Sequence, residues 1–368
     1  MSDTGHRRIA LSAIHLESRT LQVAFIAAAI GAVISAIVFW DGDVALSGAW
    51  SVGTVAAIVG GALGTTSFVV AYLSTLPPMS VPGDDRLRLA RRVLDTCALA
   101  LNHLAIWAIL SLGTFAILQR AFEGLEVDLL TATILVSVVV GIGAYFMQAS
   151  AATISAFRVS TLLSIFIVAG MLASMITAPD PGWWKLNFSA LGTMAGFSGF
   201  AFNFTLIATG LLVVTLADYV TADLRRWASR RPDYQPKRVS AVGWGLVALG
   251  VFLGAVGIFP VDRFLALHNT VATGMVVVFV GLVVALRFVL PGFPPTFYWL
   301  GYGFLVAIVV VTLLFYPIGY YNLTALELVA ASVILGWIVI LIRTVAALRR
   351  DLDSADNPSQ APVTAGLR

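Results

Sequence analysis

The sequence predicts an all-α, polytopic integral membrane protein with about ten transmembrane helices, N-in and C-in. Three observations carry this. The 368 residues are 59% hydrophobic and only 11% charged, against about 25% charged in soluble domains. The apolar residues gather in ten runs, each near the roughly 20 residues that cross a bilayer as a helix. Nineteen of the 22 Lys and Arg residues fall on one side of the threading those ten runs define, and that side is the inner one.

The spans are read at 21–40, 52–74, 94–118, 129–148, 159–178, 196–218, 239–259, 268–290, 296–316 and 322–346. Residues 1–20 form a polar inner segment, too polar for a cleavable signal peptide. The third span holds Asn102 and His103. The eighth and ninth are parted by RFVLPGFPPT, whose prolines end a helix by removing an N–H donor and clashing with the preceding turn. DDRLRLARR (84–92) is a basic amphipathic stretch, and DLRRWASRRPDYQPKR (223–238) a basic inner loop. Both set topology. Residues 351–368 are polar and Pro/Ala-rich, which predicts disorder. The domain reading is therefore an inner segment 1–20, a four-helix module 21–150, a six-helix unit 159–346 and a tail 351–368. Gly60–Gly64 and Gly250–Gly254 have the spacing that lets helices cross closely, read here as packing within the chain.

A net charge of +3 gives no footprint for nucleic acid. A single cysteine, Cys97, rules out an internal disulfide. The four histidines, His6, His15, His103 and His268, form no HxxxH or HExxH, and there is no CxxC. No metal site is expected. Paired histidines at one depth, a P-loop and a Rossmann fingerprint are also missing, so no cofactor is expected. Two lysines among 22 cations, with abundant Ala, Val and Gly, suggest a GC-rich bacterial genome, hence a cell (inner) membrane location.

Polar residues collect on the predicted outer side. The richest loop is PDPGWWKLNFSALGTMAGFSG (179–199), with Lys185, Asn187 and Ser189; Asn203 lies two turns into the sixth span. GIFPVDRFLALHNT (257–270) places Asp262, Arg263 and His268 between two apolar runs. Asp262 is read as the N-cap of the eighth helix, since its carboxylate can accept the free N–H groups of a first turn. Six residues separate Asp262 from His268, so they do not share a helix face. His268 therefore needs partners from other loops, and Tyr320, Tyr321 and Glu327 lie at the same depth. The candidate catalytic residues are His268, Asp262 and Ser189. The candidate ligand-binding residues are Lys185, Asn187, Asn203, Arg263, Tyr320 and Glu327. Ser189, His268 and Asp262 could form a nucleophilic set, but no GxSxG elbow accompanies them.

WWKLNFSALG (183–192), Phe202–Asn203, GIFPVD (257–262) with His268 after it, and Glu327 in the last span together carry a resemblance. Over about 159–346 the chain resembles the bacterial integral-membrane domain-of-unknown-function family 998, and more distantly is similar to the DRAM/Frag-type membrane proteins. The resemblance implies a six-helix unit without an established reaction. Lipid remodelling and trafficking among distant relatives imply a lipid ligand.

The functional expectation is a protein that binds or modifies a lipid or lipid-linked molecule in a polar pocket at the outer leaflet. Arg263 or Lys185 would hold a phosphate, His268 would act as base or donor, and Asp262 or Glu327 would orient it. Membrane lipids are the expected partners. The alternatives are a secondary transporter of a small solute and a non-catalytic membrane scaffold subunit. A transporter predicts broken helices at the membrane midplane.

Overall fold

The computed structural model describes residues 3–76, 85–231 and 235–356. Among them are ten helices long and apolar enough to cross a membrane. Their flanks expose large apolar side chains such as Phe25, Ile37, Ile117, Ile176 and Phe288, which suits lipid and not water as the surrounding solvent. The chain divides into two compact units, Met1–Ile154 and Ser155–Arg368.

The first unit holds α1 (Asp3–Val38), α2 (Val52–Thr75), α3 (Asp85–Ala121) and α4 (Leu129–Ala151). Helix α4 packs on α1 and α2, and α2 packs on α3. Close approach rests on small residues. Trp107 lies against Gly60 of α2 and Gly143 of α4, where an added Cβ would come within 2.6 and 2.7 Å of its ring. The Gly60–Gly64 pair thus packs within the chain. His103 is buried, stacked on Phe68 with its Nε2 2.9 Å from the Ser150 hydroxyl.

Two loops of this unit contain a feature the apolar pattern does not show. Val44–Ala45 (β1) pairs antiparallel with Glu126–Val127 (β2). Gln119 pins this ribbon: its Oε1 accepts the Leu46 and Ser47 N–H groups at 2.6 and 3.1 Å, and its Nε2 donates to the Leu125 carbonyl at 3.1 Å.

Asp128 caps α4, accepting the Leu130 and Thr131 N–H groups at 2.9 and 3.1 Å and the Thr131 hydroxyl at 2.6 Å. The Thr131 hydroxyl, with these N–H groups, holds the carboxyl below the usual aspartate range. A depressed folded pKa gives stability that is full above the unfolded value and lost as pH falls through the folded one. Protection of the first-turn amides of α4, corrected for intrinsic exchange, is therefore expected to fall as pH drops below about 3.9, the ordinary aspartate value. In Asp128→Ala the same turn should show low protection across the whole range.

The second unit holds α5 (Ala156–Ile176), α6 (Phe197–Ala228), α7 (Pro236–Ile258), α8 (Leu265–Val289), α9 (Pro295–Phe315) and α10 (Leu323–Asp356). Helix α6 is its most buried span and packs on α5, α7 and α10. Ser174 and Ser198 tie α5 to α6 reciprocally, each hydroxyl donating to the other's carbonyl at 2.9 Å. At the opposite end of the unit Arg349 of α10 donates to the buried Asp223 of α6 at 2.9 Å. Arg231 stacks on Trp227, 4.1 Å from the ring, and donates to the Pro291 carbonyl at 2.7 Å.

Several helices outrun their predicted spans. Helix α1 starts at Asp3, so from there the polar segment 1–20 and the first span are one element. The basic stretch 84–92 opens α3 from Asp85, and α6 runs on to Ala228 through the predicted loop 223–238. Polar helix formers continue a helix once it has left the apolar layer, because the backbone bonds are already nucleated. Residues 232–234 of that loop lie outside the described residues. So do residues 357–368 of the tail, while α10 continues to Asp356.

Candidate functional site

The site lies at the end of the second unit where α5, α7 and α9 finish and α6, α8 and α10 begin. After α5 the chain makes two short 3₁₀ turns, Trp183–Lys185 and Phe188–Thr193. Asp180 starts them by accepting the Gly182 N–H at 2.7 Å. Gly196, at φ 79°, then reverses the chain into α6, a left-handed conformation that costs a residue with a Cβ about 1 kcal/mol or more.

Three helices clamp this segment. From α6, Asn203 donates to the Gly192 carbonyl at 2.7 Å. From α10, Thr324 and the capping Asn322 both donate to the Trp184 carbonyl, at 2.7 and 2.8 Å. Glu327, one turn further, accepts the Phe188 and Ser189 N–H groups on one oxygen and the Ser189 hydroxyl on the other, at 3.2 Å. The second 3₁₀ turn is thus capped by a carboxylate nearly 140 residues away, in place of the local Asn187, which makes no capping bond. From α8, His268 brings its Nε2 to 3.1 Å from the Ser189 Oγ. Its Nδ1 lies 2.7 Å from the Phe259 carbonyl at the end of α7. A carbonyl only accepts, so Nδ1 carries a proton. Ser189 and His268 are 8% and 3% exposed, so their mutual contact is shielded from water, while Glu327 is half-buried.

Of the residues singled out in the sequence, the fold brings together Ser189, His268 and Glu327. Asn187 and Asn203 adjoin them: Asn203 secures the turn, and the Asn187 Oδ1 is buried without a partner. Asp262 and Arg263 stay outside, exposed and 3.8 Å apart. Asp262 does not cap α8. The turn closes through the Arg263 and Phe264 N–H groups on the Pro260 carbonyl, so the helix opens at Leu265 with Phe264 in the cap position, beyond the reach of a cap at 262. Lys185 is exposed over the Trp184 ring at 5.8 Å, and Tyr320 is exposed beside Tyr321. Neither touches the cluster. Asn322 and Thr324 were not singled out, although an Asn just before an apolar run is a helix-start signal. Among the described residues no group of three or more His, Cys, Asp or Glu could hold a metal ion.

An apolar cavity of about 590 Å³ adjoins this cluster. It lies among α5, α6, α7, α8 and α10, lined by residues such as Met171, Met175, Leu253, Met275 and Leu335. Phe188 and Leu328, the chain neighbours of Ser189 and Glu327, also line it.

These features define a multi-pass α-helical membrane protein with a largely buried Ser–His–Glu cluster beside an apolar cavity. The chain belongs to the family described as Protein of unknown function (DUF998), whose model matches residues 159–344. The match spans most of α5 to α10 and includes Ser189, His268 and Glu327. No curated protein and no solved structure matches the chain.

Proposed function

We propose that the second unit binds a lipid or lipid-linked molecule, with its hydrocarbon chain in the cavity and its polar part at Ser189, His268 and Glu327. The observation that carries this is the junction of the two: an apolar cavity of ligand size shares adjacent residues with a polar cluster. Few converging polar groups on an apolar chamber are how a site orients an amphiphile. The cation asymmetry of the sequence supports an outer-leaflet position for this end. Ser189 against a His268 fixed as the Nδ1–H form also gives a hydroxyl–imidazole pair of the kind that transfers protons during group transfer.

The transporter reading calls for helices broken at the midplane, whereas the ten described helices run unbroken. A scaffold calls for loops without mutual ties, whereas this one is clamped from three helices.

Native mass spectrometry of gently purified protein tests the proposal. Wild type is expected to retain one lipid class. His268→Ala removes the polar anchor, and Leu335→Trp fills the cavity. Each is expected to reduce retention at least about tenfold, the equivalent of about 1.4 kcal/mol. The same unselective lipid mixture on all three proteins would refute it.

A further inference from the structure

We infer that Ser189, His268 and Glu327 form a binding site for one proton, and that this proton fastens the Trp183–Thr193 segment to α8. The inference deepens the cavity reading and rests on it in one respect: it treats that segment as the cover of the lipid site.

The argument is a count of protons. The Nδ1 proton of His268 is committed to the Phe259 carbonyl. Two contacts then stand in a row, Nε2 to Oγ at 3.1 Å and Oγ to the Glu327 Oε1 at 3.2 Å. Each needs one hydrogen between its heavy atoms, and the Ser189 hydroxyl supplies only one. The second sits on Nε2, giving an imidazolium and a carboxylate, or on Oε1, giving a neutral imidazole and a carboxylic acid. Both arrangements leave the cluster with no net charge. They interconvert by moving one proton from Nε2 to the serine oxygen while the serine proton passes to the carboxylate.

Removing that second proton leaves a neutral imidazole and a carboxylate competing for one hydroxyl. Whichever loses faces the serine oxygen lone pair to lone pair, and the net negative charge falls on a half-buried carboxylate beside the buried Ser189 and His268. Unpaired buried acceptors and buried charge are both costly. Glu327 stays anchored by the Phe188 and Ser189 N–H groups in every state, so the contact that yields is His268 to Ser189. That contact is the side-chain tie between the segment and α8.

Among the described residues of the second unit, no other ionisable group joins the cluster. Asp262 and Arg263 on the preceding turn are exposed and face each other. Lys185 rests on Trp184, and Asp180 is engaged by the Gly182 N–H. Helices α5, α6, α7 and α9 bring no Asp, Glu, Lys, Arg or His to this end, and Glu327 is the first ionisable residue of α10. The exposed Tyr320 and Tyr321 stand outside it.

Hydrogen exchange of the protein in nanodiscs tests this, with rates corrected for intrinsic exchange at each pH between about 5 and 9. Amides of residues 186–193 are expected to lose about tenfold in protection as pH rises, the equivalent of one hydrogen bond. Amides of α7 serve as the unchanging reference. In Glu327→Gln the side-chain amide donates permanently to Ser189 while its oxygen keeps the two backbone N–H groups, so protection should stay high and flat. In Ser189→Ala both contacts vanish, so protection should be low and flat. A wild-type profile flat in pH, or a Glu327→Gln profile that follows wild type, overturns the inference. A flat wild-type profile in protein that still retains its lipid class would do so without touching the cavity reading, which fails through lipid retention alone.

Discussion

Glu327→Ala is expected to destabilise the second unit by about 3 kcal/mol, since each of the two buried backbone N–H groups it strands costs about 1–3 kcal/mol and the Ser189 hydroxyl loses an acceptor as well. The full sum is not expected, because the segment lies near a helix end and a relaxed loop can admit water to part of it. Glu327→Gln retains an acceptor for both amides and a donor for the hydroxyl, so it should stay within about 1 kcal/mol of wild type. Unfolding in mild detergent, followed through tryptophan fluorescence, checks the pair. The contrast between Ala and Gln is the diagnostic. Similar losses would mean that charge holds the segment. A loss confined to Ala would mean that hydrogen bonding does. A negligible loss for both would mean the segment is held by Asn322, Thr324 and the packing of Phe188 on Phe202.

Span positions were legible because the physics is one-dimensional. A run of apolar residues of bilayer length, closed by Pro260 or by PGFPP, needs no knowledge of its neighbours. Cation placement likewise sorts the loops by side. Neither signal says which residues on one side meet. Lys185, Asn187 and Ser189 were equivalent in the sequence, and the 3₁₀ turn alone decides that Ser189 faces His268 and Glu327 while Lys185 is exposed. Asp262 looked like a cap because it follows Pro260, yet the turn on the Pro260 carbonyl delays α8 to Leu265. The β-ribbon in the first unit was equally hidden. Two-residue strands carry no periodicity, and their anchor, Gln119, sits unremarked near the end of α3.

Spacing also misleads about which glycines matter, and this gives the second large effect. Gly250 and Gly254 match the small-xxx-small pattern equally, and Gly210 of α6 sits against the backbone of both, but of the two only a Cβ on Gly250 would itself drive into α6. A Cβ on Gly210 would lie 2.5 Å from the Gly250 carbonyl oxygen, and one on Gly250 would lie 2.6 Å from the Gly210 carbonyl oxygen and 2.9 Å from the Val214 nitrogen. These neighbours are backbone atoms, which cannot rotate aside, so the helices themselves must separate. A Cβ on Gly254 meets nothing nearer than 3.8 Å, an ordinary contact. Gly250→Ala and Gly210→Ala are each expected to cost about 1–3 kcal/mol through overpacking, and Gly250→Leu more. Gly254→Ala should be neutral or stabilising by up to about 1 kcal/mol through helix propensity. Thermal unfolding of the three alanine variants in one detergent checks this order. Because α6 carries Asn203 and α7 ends at the carbonyl that fixes His268, parting the two helices at Gly250 should also loosen the cluster. Gly250→Ala is therefore expected to lose lipid retention along with stability, and Gly254→Ala to lose neither. An equal loss in both would show that the crossing point lies elsewhere along the seam.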